Sequence, residues 1–349
     1  MNKIPVAILG ATGIVGQRFV QMLADHPWFE IAAVVGSSRS TGRKYGDAAN
    51  WVIAGDPPEN VIDMTVLGLD DDIPGRVAFS ALPTSVAREV EPGFAEKGFA
   101  VCSNASAFRQ APGVPVIIPE VNGDHIAMLD EQRKVQSWKG LIVTSPNCTT
   151  TGMVMAMKPL HEAYVVERVF VTSFQAISGA GYPGVSFLDI NDNLIPYIKG
   201  EEEKMESESL LLLGDIDGVK RIPADIVVSA QANRAPVLHG HTVCLSMSFK
   251  NKPSVEEAIE TLQNYRGPEV AWNLPSAPER PVVVTMQPDR PQPRRDRDAQ
   301  NGMVCTVGRV RPCPLLDLRL VSVTHNAIRG AAGGSVLNAE LLVSGGYIS

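Results

Sequence analysis

The stretch IPVAILGATGIVGQRF, Ile4 to Phe19, constrains the fold more than any other. A short apolar, partly β-branched run ends in glycines at every third position, Gly10, Gly13 and Gly16. It passes at once into Val15, Phe19, Met22 and Leu23, apolar residues at helical spacing. A strand that turns on glycines into an amphipathic helix opens a βαβ unit. The later apolar runs IAAVVG, RVAFSAL, FAVCSNA, VPVIIP and GLIVTS, several separated by polar helix-like segments, repeat the rhythm. Parallel strands with crossover helices follow, hence an α/β fold with a Rossmann-type doubly wound sheet. At 349 residues the chain exceeds one ordinary core, and a second domain is expected.

The glycine turn has a chemical reading. Its backbone can approach a pyrophosphate closely, and the helix N-terminus behind it supplies N–H donors and the positive end of a dipole. Gly10, Thr12, Gly13, Ile14, Val15 and Gly16 are therefore candidate dinucleotide contacts, although a plain strand-to-helix turn uses glycines too. An NAD site usually carries Asp or Glu at the end of the second strand, to hold the ribose hydroxyls. Here Ser37, Ser38 and Arg39 stand there. Two hydroxyls and a guanidinium suit a 2′-phosphate, so the expected cofactor is NADP(H).

Bulk properties exclude other classes. A net charge of −7 argues against a nucleic-acid partner. No apolar run reaches the roughly 18–20 residues of a membrane helix. The first strand has one lysine before it and no clear small-residue cleavage site after it, so it does not read as a signal peptide. Five cysteines, Cys102, Cys148, Cys244, Cys305 and Cys313, are odd in number and lack CxxC spacing. They fit reduced thiols in a cytoplasmic protein, with neither a disulfide framework nor a metal site.

One thiol stands apart. In SPNCTTTGMVMAMKPL, Pro146 and Asn147 mark a turn, and Met153, Val154, Met157 and Leu160 give the following run a helical face, with Pro159 expected to kink or end it. Cys148 thus lies at a helix N-terminus, where the dipole and free N–H groups favour a thiolate. The other four sit in strand-like or proline-flanked segments and read as inert. A nucleophilic thiolate beside a nicotinamide points to one chemistry: attack on an acyl carbon, a thioester, and hydride transfer between thioester and aldehyde.

GATGIVGQRF, SNASAFR, SPNCTT, QAISGAGYPG, NRAPVLHGHT and NAIRGAAGGSVLNAE together resemble aspartate-β-semialdehyde dehydrogenase of the archaeal and fungal type, over Ile4 to about Glu340. The resemblance implies a glyceraldehyde-3-phosphate dehydrogenase-like fold and the NADPH-dependent reduction of L-aspartyl-4-phosphate to aspartate semialdehyde. That step leads toward lysine, threonine, methionine and isoleucine. It makes Cys148 the acyl-thioester nucleophile, His241 the acid/base, Gln175 a substrate-positioning residue and Asn147 a group orienting the acyl oxygen. Arg234 becomes the clamp on the substrate carboxylate, Arg109 the phosphate-binding arginine, Glu201 the partner of the substrate ammonium and Lys204 a second phosphate ligand. Glu202 and Glu203 compete with Glu201, and His239 and His325 with His241. Ser178, Gly179 and Asn326 are implied cofactor contacts. Arg234 and His241, seven apart, would face opposite sides of one straight strand, so a bend at Pro236 and Gly240 is expected. Related readings are a reductase of a CoA thioester such as malonyl-CoA, N-acetyl-glutamyl-phosphate reductase, and a non-catalytic NADP-binding regulatory protein.

Beyond Cys148 the pattern changes. RVFVTSFQAIS, HTVCLSMSF, RPVVVTM, MVCTVGRVR and LDLRLVSVT are longer strand candidates, several alternating as in a sheet with one buried face. Ser254 with Glu257 three residues on opens a helix with a capping box. QPDRPQPRRDRDAQNG, residues 287–302, reads as an exposed loop. By resemblance, the closing helical segment packs back on the nucleotide domain, so the expected division is a nucleotide domain of residues 1–149 and 326–349 and an α+β catalytic and dimerisation domain of residues 150–325 with a mixed sheet. By resemblance, the second domains pair into a homodimer or homotetramer.

Overall fold

The computed structural model describes residues 2–348. Five strands, β1 (Ile4–Leu9), β2 (Phe29–Val35), β3 (Val77–Ser80), β4 (Ala100–Ser103) and β5 (Leu141–Thr144), form a sheet in the order β2–β1–β3–β4–β5, with every neighbour parallel. Both faces are covered. Val6, Ile8, Val77 and Phe79 point into one core with Phe19 and the helix Gly333–Ser344. Ala7, Leu9 and Ala78 point into another with Phe94 of the helix Thr84–Glu96. Burial on two sides is why these strands are apolar runs without alternation. VPVIIP, bounded by prolines, contributes only a single parallel bridge, Val116 to Thr144, rather than a strand.

The chain leaves β1 toward β2 on one side and reaches β3 on the other. Beyond the carboxyl ends of β1 and β3 lies the crevice where doubly wound sheets bind ligands. Gly10 has φ +78°, and a Cβ there would lie 2.9 Å from the Ala81 carbonyl oxygen. A Cβ on Gly16 would meet the Gly10 carbonyl oxygen at 2.2 Å. The fold itself demands these two. Gly13 is exposed, and a Cβ there would meet nothing nearer than 3.5 Å.

The second sheet is mixed. It contains β6 (Val166–Gln175), β9 (Val227–Arg234), β10 (His241–Phe249), β11 (Val282–Thr285), β12 (Cys305–Pro312) and β13 (Leu318–Thr324), in the order β11–β12–β13–β10–β6–β9. A small hairpin, β7 (Asp215–Asp217) and β8 (Lys220–Ile222), stands apart. One face packs under the helices Cys148–Tyr164, Glu201–Leu213 and Val255–Asn264. On the other, Phe170 is exposed and Thr172, Phe174 and Cys244 are half-buried.

Two local expectations change. The helix from Cys148 runs on through Pro159 to Tyr164, because near-complete burial from Thr149 to Leu160 offsets the roughly 3 kcal/mol of an internal proline. Residues 287–302 are not simply an exposed loop: Asp296 is buried, pairing with Arg290 and accepting from the Gln292 N–H. The Ser254–Glu257 capping box is present. No helix among the described residues is long and apolar enough to cross a membrane.

Candidate active site

Cys148 is the first residue of its helix, placed by the turn after β5. Asn147 is the N-cap. Its Oδ1 accepts from the Thr149 and Thr150 N–H groups at 2.9 and 3.1 Å, and its Nδ2 donates to both Glu201 oxygens at 3.0 and 2.9 Å. Its side chain is thus committed to holding the helix start rather than to an acyl oxygen. The Cys148 N–H has no acceptor among the described residues.

His241 Nε2 lies 3.2 Å from Cys148 Sγ. Its Nδ1 accepts the Ala176 backbone N–H at 2.9 Å. A backbone amide only donates, so Nδ1 carries no proton and the neutral ring bears its hydrogen on Nε2, facing the sulfur. Burial pushes the imidazolium titration down to about 3, against the pull of Glu201 and with the push of Arg234. Cys148 is half-buried at the cleft, and the surrounding protein pushes its thiol up to about 12. Glu201 adds to that rise, while Arg109 and Arg234 oppose it. Burial therefore favours a thiol beside a neutral imidazole, against the thiolate expected from the helix dipole.

The rivals of His241 lie elsewhere. His239 Nδ1 meets Ser178 Oγ at 2.8 Å, and His325 Nδ1 accepts the Ala327 and Ile328 N–H groups. Arg234 and His241 do not share one bent strand. They end β9 and begin β10, the two neighbours of β6, and meet across it. A Cβ on Gly179 would lie 3.0 Å from Arg234 Nη1 and 3.2 Å from His241 Cε1, so both pack on that glycine. Gln175, opposite Arg234, is buried, and its amide donates to Ser173 Oγ at 3.3 Å.

Charged groups ring the thiol. Glu201 is buried and paired with Lys204 at 2.9 Å. Burial alone would raise its carboxyl, but Lys204 and Asn147 together hold it below the usual range. Glu202 accepts the Ala232 N–H and Glu203 is exposed, so of the three only Glu201 reaches the Asn147 turn. Arg109 is buried, donating from Nε to the Ser145 carbonyl, from Nη2 to that of Asn104 and from Nη1 to Glu208 at 2.9 Å.

A cleft of about 580 Å³ runs from Gly13 and Ile14 past Cys148 to Ser178 and Asn326. Val15 and Gly179 also line it. Asn326 Nδ2 donates to Ser178 Oγ at 2.9 Å and its Oδ1 accepts the Gly240 N–H, tying the segment after β6 to the one before β10. Thr12 is half-buried, its carbonyl engaged by Gln17. Ser37, Ser38 and Arg39 are exposed just beyond β2. Sequence reasoning missed Gly330, in the π-helical turn Ile328–Ala332, where a Cβ would lie 2.7 Å from Cys148 Cβ. It also missed Glu208, a charge in the buried stripe Glu201, Met205, Glu208, Leu212 that the spacing alone could have flagged.

Fold and site together define an oxidoreductase built on a dinucleotide-binding sheet, with a thiol–imidazole pair at its cleft. Residues 5–129 match the family model described as semialdehyde dehydrogenase, NAD binding domain, and residues 157–329 match semialdehyde dehydrogenase, dimerisation domain. The chain belongs to the semialdehyde dehydrogenase family. It is 49% identical to an aspartate-semialdehyde dehydrogenase of Archaeoglobus fulgidus over 97% of both chains. It is 40% identical to a malonyl CoA reductase (NADP) of Metallosphaera sedula over 99% of both. A crystal structure of the Candida albicans aspartate semialdehyde dehydrogenase with NADP superposes with a TM-score of 0.91 at 41% identity, covering 99% of this chain and 100% of that one.

Proposed function

We propose that the protein reduces L-aspartyl-4-phosphate with NADPH to L-aspartate-4-semialdehyde and phosphate, through a thioester on Cys148. The observation that carries this reading is the Cys148–His241 pair at the mouth of a dinucleotide cleft, among cations for two anionic groups. An acyl phosphate with an α-carboxylate needs both cationic positions. Arg109 and Lys204 suit the phosphoryl group and Arg234 the carboxylate, since a guanidinium donates two parallel hydrogen bonds. Glu201 suits the substrate ammonium.

The hydrogen-bond pattern supports a specific role for His241. With its proton on Nε2 and Nδ1 occupied, it donates and does not accept. Cys148 sulfur attacks the acyl carbon, the C–O bond to phosphate breaks, and the thiol proton leaves with the phosphate. NADPH, when bound, supplies the hydride that reduces the thioester carbon. His241 Nε2–H and the Cys148 N–H then stand as donors to the oxyanion. As the C–S bond breaks, the aldehyde departs, and the sulfur, left as a thiolate, takes a proton from solvent and recovers the His241 hydrogen bond.

For the cofactor, Gly13 leaves room at the helix N-terminus for a pyrophosphate. Gly10 and Gly16 shape that turn, with Thr12, Ile14 and Val15 along it. Ser37, Ser38 and Arg39 suit the 2′-phosphate, and Ser178, Gly179 and Asn326 the nicotinamide end. The same reading keeps the division into residues 1–149 with 326–349 and residues 150–325. It pairs two copies through the open face of the second sheet, in keeping with the dimerisation domain matched there.

The test is NADP reduction by aspartate semialdehyde with and without inorganic phosphate, run beside malonyl-CoA plus NADPH. Phosphate-dependent reduction is expected. Oxidation of NADPH by malonyl-CoA alone would overturn the substrate assignment in favour of a CoA-thioester reductase.

A further inference from the structure

The helix Glu201–Leu213 carries two buried carboxylates, Glu201 and Glu208, on one face two turns apart. Both grip the residue before the nucleophile. Glu201 takes the Asn147 side-chain amide, and Glu208 Oε2 accepts the Asn147 backbone N–H at 2.6 Å. Glu208 does more. Its Oε1 accepts from Arg109 Nη1 at 2.9 Å, with side-chain exposures of 3% and 8%. One carboxylate therefore spans the cleft-lining arginine and the turn that delivers Cys148.

The rest of the Arg109 harness is backbone: the Ser145 and Asn104 carbonyls, both from segments following strands of the first sheet. Glu208 is its anchor to the helix that also carries Lys204. Three of the five guanidinium N–H groups are thereby used, and two remain for an anion at the cleft. A neutral amide in place of Glu208 has one acceptor oxygen for two donors. It would release either Arg109 or the Asn147 N–H.

We infer that Glu208 is a positioning residue, bridging Arg109 and Asn147 so that the anion-binding guanidinium is held in fixed relation to the Cys148 sulfur. This rests on the reading that Arg109 receives the phosphoryl group.

The experiment uses the full chain and follows iodoacetamide alkylation of Cys148 as inorganic phosphate is raised, with NADPH affinity measured in parallel. In the parent, phosphate slows alkylation. Glu208→Gln is expected to need about tenfold more phosphate for the same protection, a loss of one charge-assisted contact's worth of affinity. Its NADPH affinity stays within about twofold of the parent's. Glu208→Asp, which keeps the charge and both acceptors, falls between the two and serves if Glu208→Gln folds poorly. Equal phosphate protection in parent and both variants overturns the inference, as does a matching fall in phosphate and NADPH affinity, the mark of general loosening. Absence of phosphate protection in the parent overturns it too. The reading beneath it fails separately, if the parent reduces NADP without phosphate.

Discussion

At the scale of single residues, the protonation of two groups decides the chemistry. Because the Cys148 thiol is held up at about 12, its thiolate fraction in the free enzyme rises with pH through the neutral range without levelling. Alkylation should climb about tenfold per unit from about pH 6 to about pH 9. A plateau near neutrality would show a resting thiolate instead. For His241 the donor role predicts a graded series. His241→Ala loses the hydrogen bond and should cost roughly 10²–10³ in kcat. His241→Gln, which can place an amide N–H near the sulfur, should recover part of that. Equal losses in both variants would point to a base. The position of Cys148 was legible in SPNC, since turn residues before an apolar helix fix where the helix begins. Its protonation was not, because that depends first on how deeply the folded chain buries the thiol, and then on Glu201, Arg109 and Arg234, which arrive from three other segments. The choice among Glu201, Glu202 and Glu203 likewise needed the helix phase, which puts the first against Asn147 and the second against β9.

Among elements, the glycine turn separates two jobs that the spacing runs together. Gly16→Ala drives a Cβ into backbone and should cost several kcal/mol, seen as a large fall in Tm. Gly13→Ala meets only the Gly10 carbonyl oxygen, at an ordinary 3.5 Å, and should cost only about 1 kcal/mol as an N-cap change, yet weaken NADPH binding markedly. If titration finds NADPH affinity unchanged in Gly13→Ala, the pyrophosphate does not sit there. The parallel strands were readable because burial on both faces leaves a plain apolar signature. The meeting of Arg234 and His241 was not. Local sequence carries no record that β6, some sixty residues earlier, lies between β9 and β10.

On the scale of the whole molecule, the open face of the second sheet predicts association. Phe170 sits mid-strand at 45% exposure, so Phe170→Glu should shift the sedimenting species toward monomer. A parent chain that already sediments as a monomer would refute pairing through this face. The closing helix Gly333–Ser344 matters as much. Val336, Leu337, Leu341 and Leu342 are at most 2% exposed and complete the core that also holds Phe19 and Phe79. Four such side chains are worth about 6–12 kcal/mol, comparable with the roughly 5–15 kcal/mol that keeps a typical protein folded. A chain ending at Ala332 should therefore lose cooperative melting by calorimetry. The same packing sets an order of events during synthesis. At roughly 5–20 residues per second, a ribosome finishes the last helix about 10–40 s after β5 has been made. Through that interval one flank of the first sheet waits uncovered, so the half of the protein that is translated first is the last to close.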